Sequence, residues 1–262
     1  MEIHAEIFAI GNELCYGRVY DTNSFWIADQ VTRLGAKVQR ITCVPDSIAD
    51  ICTVVKEAVS RTPHFIILSG GLGPTPDDLT IEAVSKIFNL PVVTRVEILQ
   101  LMAARRGVPL DQLPPNLVRM ARSLEGAECL PNPLGWAPVT LIKNSDTTII
   151  TLPGPPAEMN ACFNEYIAKR IRERTPYESI SKRVAVTMAE SRISPIIEEI
   201  MKNTPGTYLK PLVSEYQRDK NLLPVEVIVF AEDEEACRKK MKETQERLRE
   251  LLVQNGGNLT PL

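Results

Sequence analysis

The chain has 262 residues, a net charge of −3, 44% hydrophobic residues and 24% charged residues. These values describe an ordinary globular chain, long enough for two domains. They exclude a general electrostatic pull toward nucleic acid or anionic lipid. Six cysteines at positions 15, 43, 52, 129, 162 and 237 form no C-x-x-C pair. That argues against a zinc site or a thioredoxin-like motif and for a reducing, cytoplasmic setting. No apolar run approaches the roughly 18 residues of a membrane span, so no membrane partner is expected. The first strand pattern begins almost at Met1, so no signal peptide is expected.

In chain order, residues 3–10 (IHAEIFAI) alternate and are β-rich, which predicts a strand. GNELCYGRVYDTN follows as a polar loop. Asp21, Thr22 and Asn23 are candidate caps of a helix that runs to Leu34 and is stopped by Gly35. KVQRITCV reads as a strand. Asp46 is a candidate cap for the next helix, in which Ile48, Ile51, Val55, Ala58 and Val59 recur at helical spacing. HFIILS is short and continuously apolar, the pattern of a buried parallel strand, and a helix is expected near 79–88. Strands alternating with helices through short connections indicate a parallel sheet covered by helices. RVEILQLMAARRG and PPNLVRMARSL read as helices, the second opened by a proline pair. Segments 138–143 and 147–152 read as a hairpin turned at NSD, followed by a helix to about Arg174. RTPYES marks a break. Beyond it, KRVAVTM, SPIIEEIMKN, TYLKPLV, VEVIVFA and a helix over 233–254 give a β-α-β-β-α order, a small α+β domain. In that last helix Cys237, Met241, Thr244, Leu248 and Leu251 share one face.

The chemistry concentrates after HFIIL, in SGGLGPTPDDLT, residues 69–80. This is neither a P-loop nor a Rossmann fingerprint, but it has the parts of an anion site. Gly70, Gly71 and Gly73 permit positive φ and close backbone approach. Their N–H groups can point at phosphate oxygens. Pro74 and Pro76 stiffen the loop, and Ser69 and Thr75 add hydroxyls. A tight strand–helix turn capped by Asp77 or Asp78 is the structural alternative. A cap needs only one aspartate, however, and aspartate beside phosphate is repulsive without an intervening cation. Mg²⁺ takes one or two carboxylates together with phosphate oxygens and waters. Asp77 and Asp78 are therefore candidate metal ligands, with Thr80 behind them. Glu13, at the end of the first strand, is a third candidate carboxylate or a solvated loop residue, and Arg18 and Asn23 are further polar candidates at that edge. LPGPPAEM (152–159) repeats the design with Gly154, Pro155 and Pro156, and with Glu158 opening a helix. Trp136, in PNPLGWAP, either stacks on a ring or covers the core. His4 and His64 read as structural.

AIGNELCYGRVYDTN, SGGLGPTPDDLT, PNPLGWAP and LPGPPAEM match, in order and spacing, the molybdopterin-binding-like domain of the CinA family. The resemblance covers residues 1–175, and the segment 180–262 resembles the KH-like domain that follows it there. It implies a three-layer α/β/α sandwich with a mostly parallel sheet, then a small α+β domain. The implied activity is divalent-metal-dependent (Mg²⁺, Mn²⁺ or Co²⁺) hydrolysis of a nucleotide pyrophosphate, ADP-ribose above all. The implied pocket uses Glu13, Asn23, Gly70, Gly71, Gly73, Pro74, Thr75, Asp77, Asp78, Gly154 and Pro155; the resemblance does not assign the metal ligands among them, and the residue chemistry above makes Asp77, Asp78 and Glu13 the catalytic and metal-holding candidates. A homodimer is also implied. GNEL in place of GTEL, GWAPV without its usual glycine, and Pro155 in place of valine are departures that bear on substrate preference. Many bacterial members continue into an amidase domain acting on nicotinamide mononucleotide; the sequence stops after the KH-like segment, and that activity is not carried over. A non-hydrolytic pterin or nucleotide binder is the alternative function, because fold does not choose between them. Nucleic acid is not the expected partner, since 180–262 lacks a G-x-x-G loop.

Overall fold

The computed structural model describes residues 2–217, 219 and 221–261. It divides into two compact units: residues 1–32 with 36–174, and residues 33–35 with 175–262.

The first unit opens with β1 (His4–Ile10), α1 (Asn12–Cys15), α2 (Thr22–Arg33), β2 (Lys37–Val44), α3 (Ile48–Ser60), β3 (Phe65–Ser69) and α4 (Thr80–Phe88). Then come β4 (Val92–Thr94), α5 (Val96–Arg106), α6 (Pro115–Met120), β5 (Arg122–Leu124), β6 (Glu128–Leu130), β7 (Val139–Asn144) and β8 (Thr147–Leu152). It closes with α7 (Pro156–Cys162), which runs through a π-helical turn (Phe163–Ile167) into α8 (Ala168–Arg174). The main sheet has the order β2-β1-β3-β8-β7-β6. β2, β1, β3 and β8 are parallel, and β7 and β6 are antiparallel. All of β3 and all but the first residue of β1 are buried. This explains their continuous apolar sequences: helices cover both faces. On one face Phe8, Ile10, Ile66 and Leu68 pack with Ile51 and Val55 of α3 and Val84 of α4. Each such side chain contributes about 1.5–3 kcal/mol by leaving water. The opposite face is covered by α2, which buries Ile27 and Val31, and by the 156–174 helix. Trp26 meets Phe163 edge-on there, with centroids 5.3 Å apart.

The structure departs from the sequence reading at several points. The polar stretch after β1 contains the one-turn helix α1. Of the three candidate caps of α2, Asp21 does the work, accepting from Ser24 N at 2.9 Å. The cap of α3 is Ser47, which accepts from Asp50 N. Asp46 instead pairs with Asn12: its Oδ2 accepts from Asn12 N at 2.7 Å, and its own N donates to Asn12 Oδ1 at 3.3 Å. The helix in PPNLVRMARSL is short, because Arg122–Leu124 leaves it to pair antiparallel with β4.

The second unit contains β9 (Glu178–Val186), α9 (Glu190–Asn203), β10 (Thr207–Pro211), β11 (Leu223–Ala231), α10 (Glu234–Gln254) and β12 (Leu259–Pro261). Its antiparallel sheet has the order β10-β11-β9-β12, one strand more than the pattern predicts. Ile193, Ile197 and Ile200 of α9 join Cys237, Met241 and Leu248 of α10 in one core with Val186, Val225 and Val227 of the sheet. The expected face of α10 is the buried one, Thr244 included. Asp233 caps α10 by accepting from Ala236 N at 2.8 Å. Asp233→Ala is expected to cost about 1 kcal/mol in urea denaturation.

Candidate functional site

The strand order runs outward in two directions from the β1–β3 pair: β1 leads to β2 on one side, and β3 leads toward β8 on the other. The carboxyl ends of strands at such a switch point leave a crevice, the usual ligand position in open α/β sheets. Here it is a cleft of two adjoining parts, about 380 and 110 Å³, which share Ile10, Glu13, Gly70 and Gly154. Five chain segments meet there: the end of β1 with α1, the turn into α2, the residue Asp46 past β2, the loop after β3, and the loop after β8.

The glycines are demanded by this convergence. Gly70 has φ +104°, and a methyl placed on it would lie 2.3 Å from the Ile10 carbonyl oxygen. Gly71 has φ +65°, and its Cβ would sit 2.3 Å from Thr80 Oγ1. That hydroxyl donates to Gly70 O at 2.8 Å, while Thr80 N donates to Gly71 O at 3.1 Å. Thr80 thus closes the loop onto the first turn of α4. A Cβ on Gly154 would come 3.6 Å from Gly70 Cα, so the two glycine loops touch. Gly70 N donates to Leu152 O at 3.0 Å, stitching the β3 end to β8.

Asn23 of α2 clamps the same junction. Its Nδ2 donates to Ser69 Oγ at 3.0 Å and to Gly154 O at 2.7 Å. The Gly154 carbonyl can only accept, which fixes the orientation of the Asn23 amide. Asn23 thereby positions the loops, and its location on α2 follows from the cap at Asp21.

The paired aspartates do not cap α4. The residue preceding that helix is Leu79, and no side chain caps it. Instead they wrap Thr75. Asp78 Oδ2 accepts from Thr75 N at 2.7 Å, and Thr75 Oγ1 lies 2.6 Å from Asp78 Oδ2 and 2.5 Å from Asp77 Oδ1. The Thr75 hydroxyl holds the Asp77 carboxyl below its ordinary range. A Cβ on Gly73 would meet Asp78 Oδ2 at 2.6 Å, so a side chain there would push the Asp78 carboxylate from its place. Asp77, Asp78, Thr75, Gly73, Glu13 and Pro155 all line the larger part of the cleft. Asn23 lines the smaller part. Pro74 is exposed and Arg18 lies outside the lining of both parts.

A fourth carboxylate, missed in the sequence reading, joins them: Asp46. Burial pushes its carboxyl up, opposed by the Asn12 N–H bond, and the negative charges of Glu13, Asp77 and Asp78 push it further up. The signal was present in CVPDS, a carboxylate just past the strand next to β1. No lysine or arginine lines either part of the cleft. Arg119 of α6 comes close from behind, donating to the Asp78 carbonyl at 2.8 Å and pairing with Glu82 at 3.1 Å. It braces the loop backbone and leaves the carboxylates uncompensated. The donor set is all hard oxygen, which suits Mg²⁺ or Mn²⁺. Among the described residues no three His, Cys, Asp or Glu side chains converge to hold an ion by themselves. The protein side therefore fits an ion that takes one or two carboxylates here and its remaining ligands from phosphate and water.

The PNPLGWAP loop is a built structure nearby. Arg105 donates to Gly135 O at 2.6 Å and to Asn132 O at 2.8 Å, and Asn132 Nδ2 donates to Glu158 Oε2 at 2.7 Å. Trp136 is half-buried and packs against the cluster of Ile98, Met102 and Leu117 from α5 and α6, as expected of a tryptophan covering the core. No helix among the described residues is long and apolar enough to cross a membrane.

Residues 6–173 match the family model described as a probable molybdopterin binding domain. A protein of Pyrobaculum arsenaticum is 36% identical over 258 residues, covering 97% of this chain and 96% of that one. One from Metallosphaera sedula is 32% identical over 259 residues, covering 97% and 96%. The crystal structure of the protein CinA with unknown function from Thermoplasma acidophilum aligns with a TM-score of 0.60 at 29% identity, covering 65% of this chain and 98% of that one. The family match ends before the second unit, whose likeness to a KH-like domain rests on the sequence resemblance alone.

Proposed function

Because the chain belongs to the family of the probable molybdopterin binding domain, we propose that its cleft binds a pterin or nucleotide through a phosphate group, in the handling of molybdenum cofactor or a related compound. The observation that carries this reading is the side-chain-free cradle of Gly70, Gly71 and Gly154 at the β1–β3 switch point. Backbone N–H groups in such a loop meet phosphate oxygens without a lysine. The cleft's size fits a small ligand. Its four carboxylates would repel a bare phosphate, so a divalent cation held by Asp77, Asp78 or Glu13 would have to accompany the ligand. A bound cation would supply the positive charge between carboxylate and phosphate. Asn23 and Thr80 hold the loops in place, and Asp46 adds negative charge at the rim.

A second reading, metal-dependent hydrolysis of a nucleotide pyrophosphate such as ADP-ribose, is favoured by the same carboxylate cluster. In it Asp77, Asp78 or Glu13 would hold the cation, which would supply Lewis-acid chemistry at phosphorus, and a carboxylate near the phosphate would take the proton from water.

Calorimetric titration with a pterin phosphate, ADP-ribose and AMP, with and without Mg²⁺ or Mn²⁺, tests both. Affinity that rises at least about tenfold with metal is expected. Asp78→Asn keeps an acceptor for Thr75 N, so the loop stays built while the charge is lost. The metal-dependent part of the affinity is expected to fall about tenfold, the scale of one charge-assisted contact; unchanged metal dependence would remove Asp78 from this role. Release of AMP from ADP-ribose would select the hydrolytic reading. Tight binding without turnover would select the first.

A further inference from the structure

Cys15 ends α1 and Cys43 is the last residue but one of β2. They are 28 residues apart in sequence, yet their Sγ atoms lie 3.4 Å apart, and both side chains are exposed. The other four cysteines are half-buried or buried. A disulfide bond is about 2.05 Å long, so the two sulfurs, now 3.4 Å apart, need approach by only about 1.4 Å. The backbone is already held: Asn12 at the start of α1 and Asp46 just past β2 exchange two hydrogen bonds.

We propose that Cys15 and Cys43 form a redox-sensitive pair that closes to an intramolecular disulfide by exchange with a small-molecule disulfide, tying α1 to β2 at the rim of the cleft. The Cys15 thiolate attacks one sulfur of the small disulfide and expels a thiolate, leaving a mixed disulfide on Cys15. Cys43 then gives up its proton to solvent, and its sulfur attacks Cys15 Sγ, expelling the second thiolate. Two protein thiols lose two electrons and two protons, and the small disulfide is reduced to two thiols. Either thiol can open the exchange, and the 3.4 Å separation places the other to resolve it. The bond matters locally because α1 carries Glu13, and the turn after it carries Val19, Tyr20 and Asp21, all lining the cleft. Its formation does not depend on which ligand the cleft takes.

The test treats the full chain with oxidised glutathione, followed by maleimide labelling, intact mass and peptide mapping. The expected result is loss of two reactive thiols, a mass lower by two hydrogens, and a peptide linking Cys15 to Cys43, all reversed by dithiothreitol. Closing this loop is expected to raise Tm by about 5–10 °C. Cys43→Ser is expected to stop at a glutathione adduct on Cys15, with no rise in Tm. Wild-type protein that ends with six reactive thiols, or with separate glutathione adducts and no linked peptide, overturns the proposal.

Discussion

Arg61→Ala is expected to destabilise the protein by about 3–5 kcal/mol, the usual cost of stripping one partner from a buried ion pair. Glu6, in the middle of β1, is fully buried. Arg61, just past α3, grips it with two bonds: Nε to Oε1 at 2.7 Å and a terminal nitrogen to Oε2 at 2.6 Å. Arg40 of β2 adds a bond at 3.3 Å. The β1–β2 register slips by one residue between Ala5 and Glu6, and this slip sets Arg40 opposite Glu6. The pair is asymmetric. The Arg61 side chain is 29% exposed, but that of Glu6 has no access to water. Removing Arg61 therefore leaves a buried charge with only the longer Arg40 contact, whereas removing Glu6 leaves arginines that reach solvent. Glu6→Met is expected to cost clearly less than Arg61→Ala, and the two changes together less than their sum. Urea denaturation of the four proteins in a double-mutant cycle measures this.

The same pair gives a pH dependence with a definite sign. Burial raises the Glu6 carboxyl, but hydrogen bonding and charge from Arg61, with help from Arg40, outweigh it and hold the group below its ordinary 4.5. A depressed folded-state pKa contributes stability above the unfolded value, and that stability is lost as pH falls through the folded one. In Arg61→Ala burial is left with less opposition, so the carboxyl moves upward and the variant suffers most where Glu6 must ionise. The stability gap between wild type and variant is expected to be widest at pH 7 and to narrow toward pH 4. A gap that is flat across that range would mean the loss comes from packing of the arginine stem.

How much of this was legible in the sequence follows from the range of each signal. β1, β2, β3 and α3 were readable because periodicity is local and these elements are long or wholly buried. β4 and β5 were not: each has three residues, and their pairing joins Val92 to Leu124. α1 is a single turn, too short for a period. In the site, the glycines of the 70s loop stood out because positive φ needs them, and LPGPP announced the second loop. Asp46 was misread because the residue before a helix is so often its cap; Ser47, one position on, serves instead. The two aspartates suggested a cap or a metal, and sequence could not show that they enclose Thr75. Nor could it bring Cys15 to Cys43, since a contact across 28 residues depends on how α1 lies against β2.

Gly70→Ala is expected to raise the Kd for the cleft ligand by at least about tenfold, more than any other single methyl in the loop region. The added carbon would stand 2.3 Å from Ile10 O, inside the 3.0 Å that side-chain carbons keep from other atoms, and φ there is +104°. The obstacle is backbone, so no rotamer relieves it. Ile10 is held by the β1 ladder, and Gly11 N donates to Val44 O at 3.0 Å. Gly70 is held on its other side by its bonds to Leu152 and Thr80, so a displacement that relieves the clash breaks them and carries Gly71, Thr75 and the aspartates out of line with Gly154. Loss of a charge-assisted hydrogen bond or two, at about 1.5–3 kcal/mol each, accounts for the fall. Backbone strain alone does not predict it, and Gly107→Ala separates the two effects. Gly107 also has positive φ, +65°, but caps α5 with nothing within 4 Å of its Cβ position. That variant is expected to lose about 1 kcal/mol of stability and to bind as wild type does. Were Gly70→Ala to bind within twofold of wild type, the phosphate would not lie in this cradle, and the carboxylates would have to hold their ligand without the glycines.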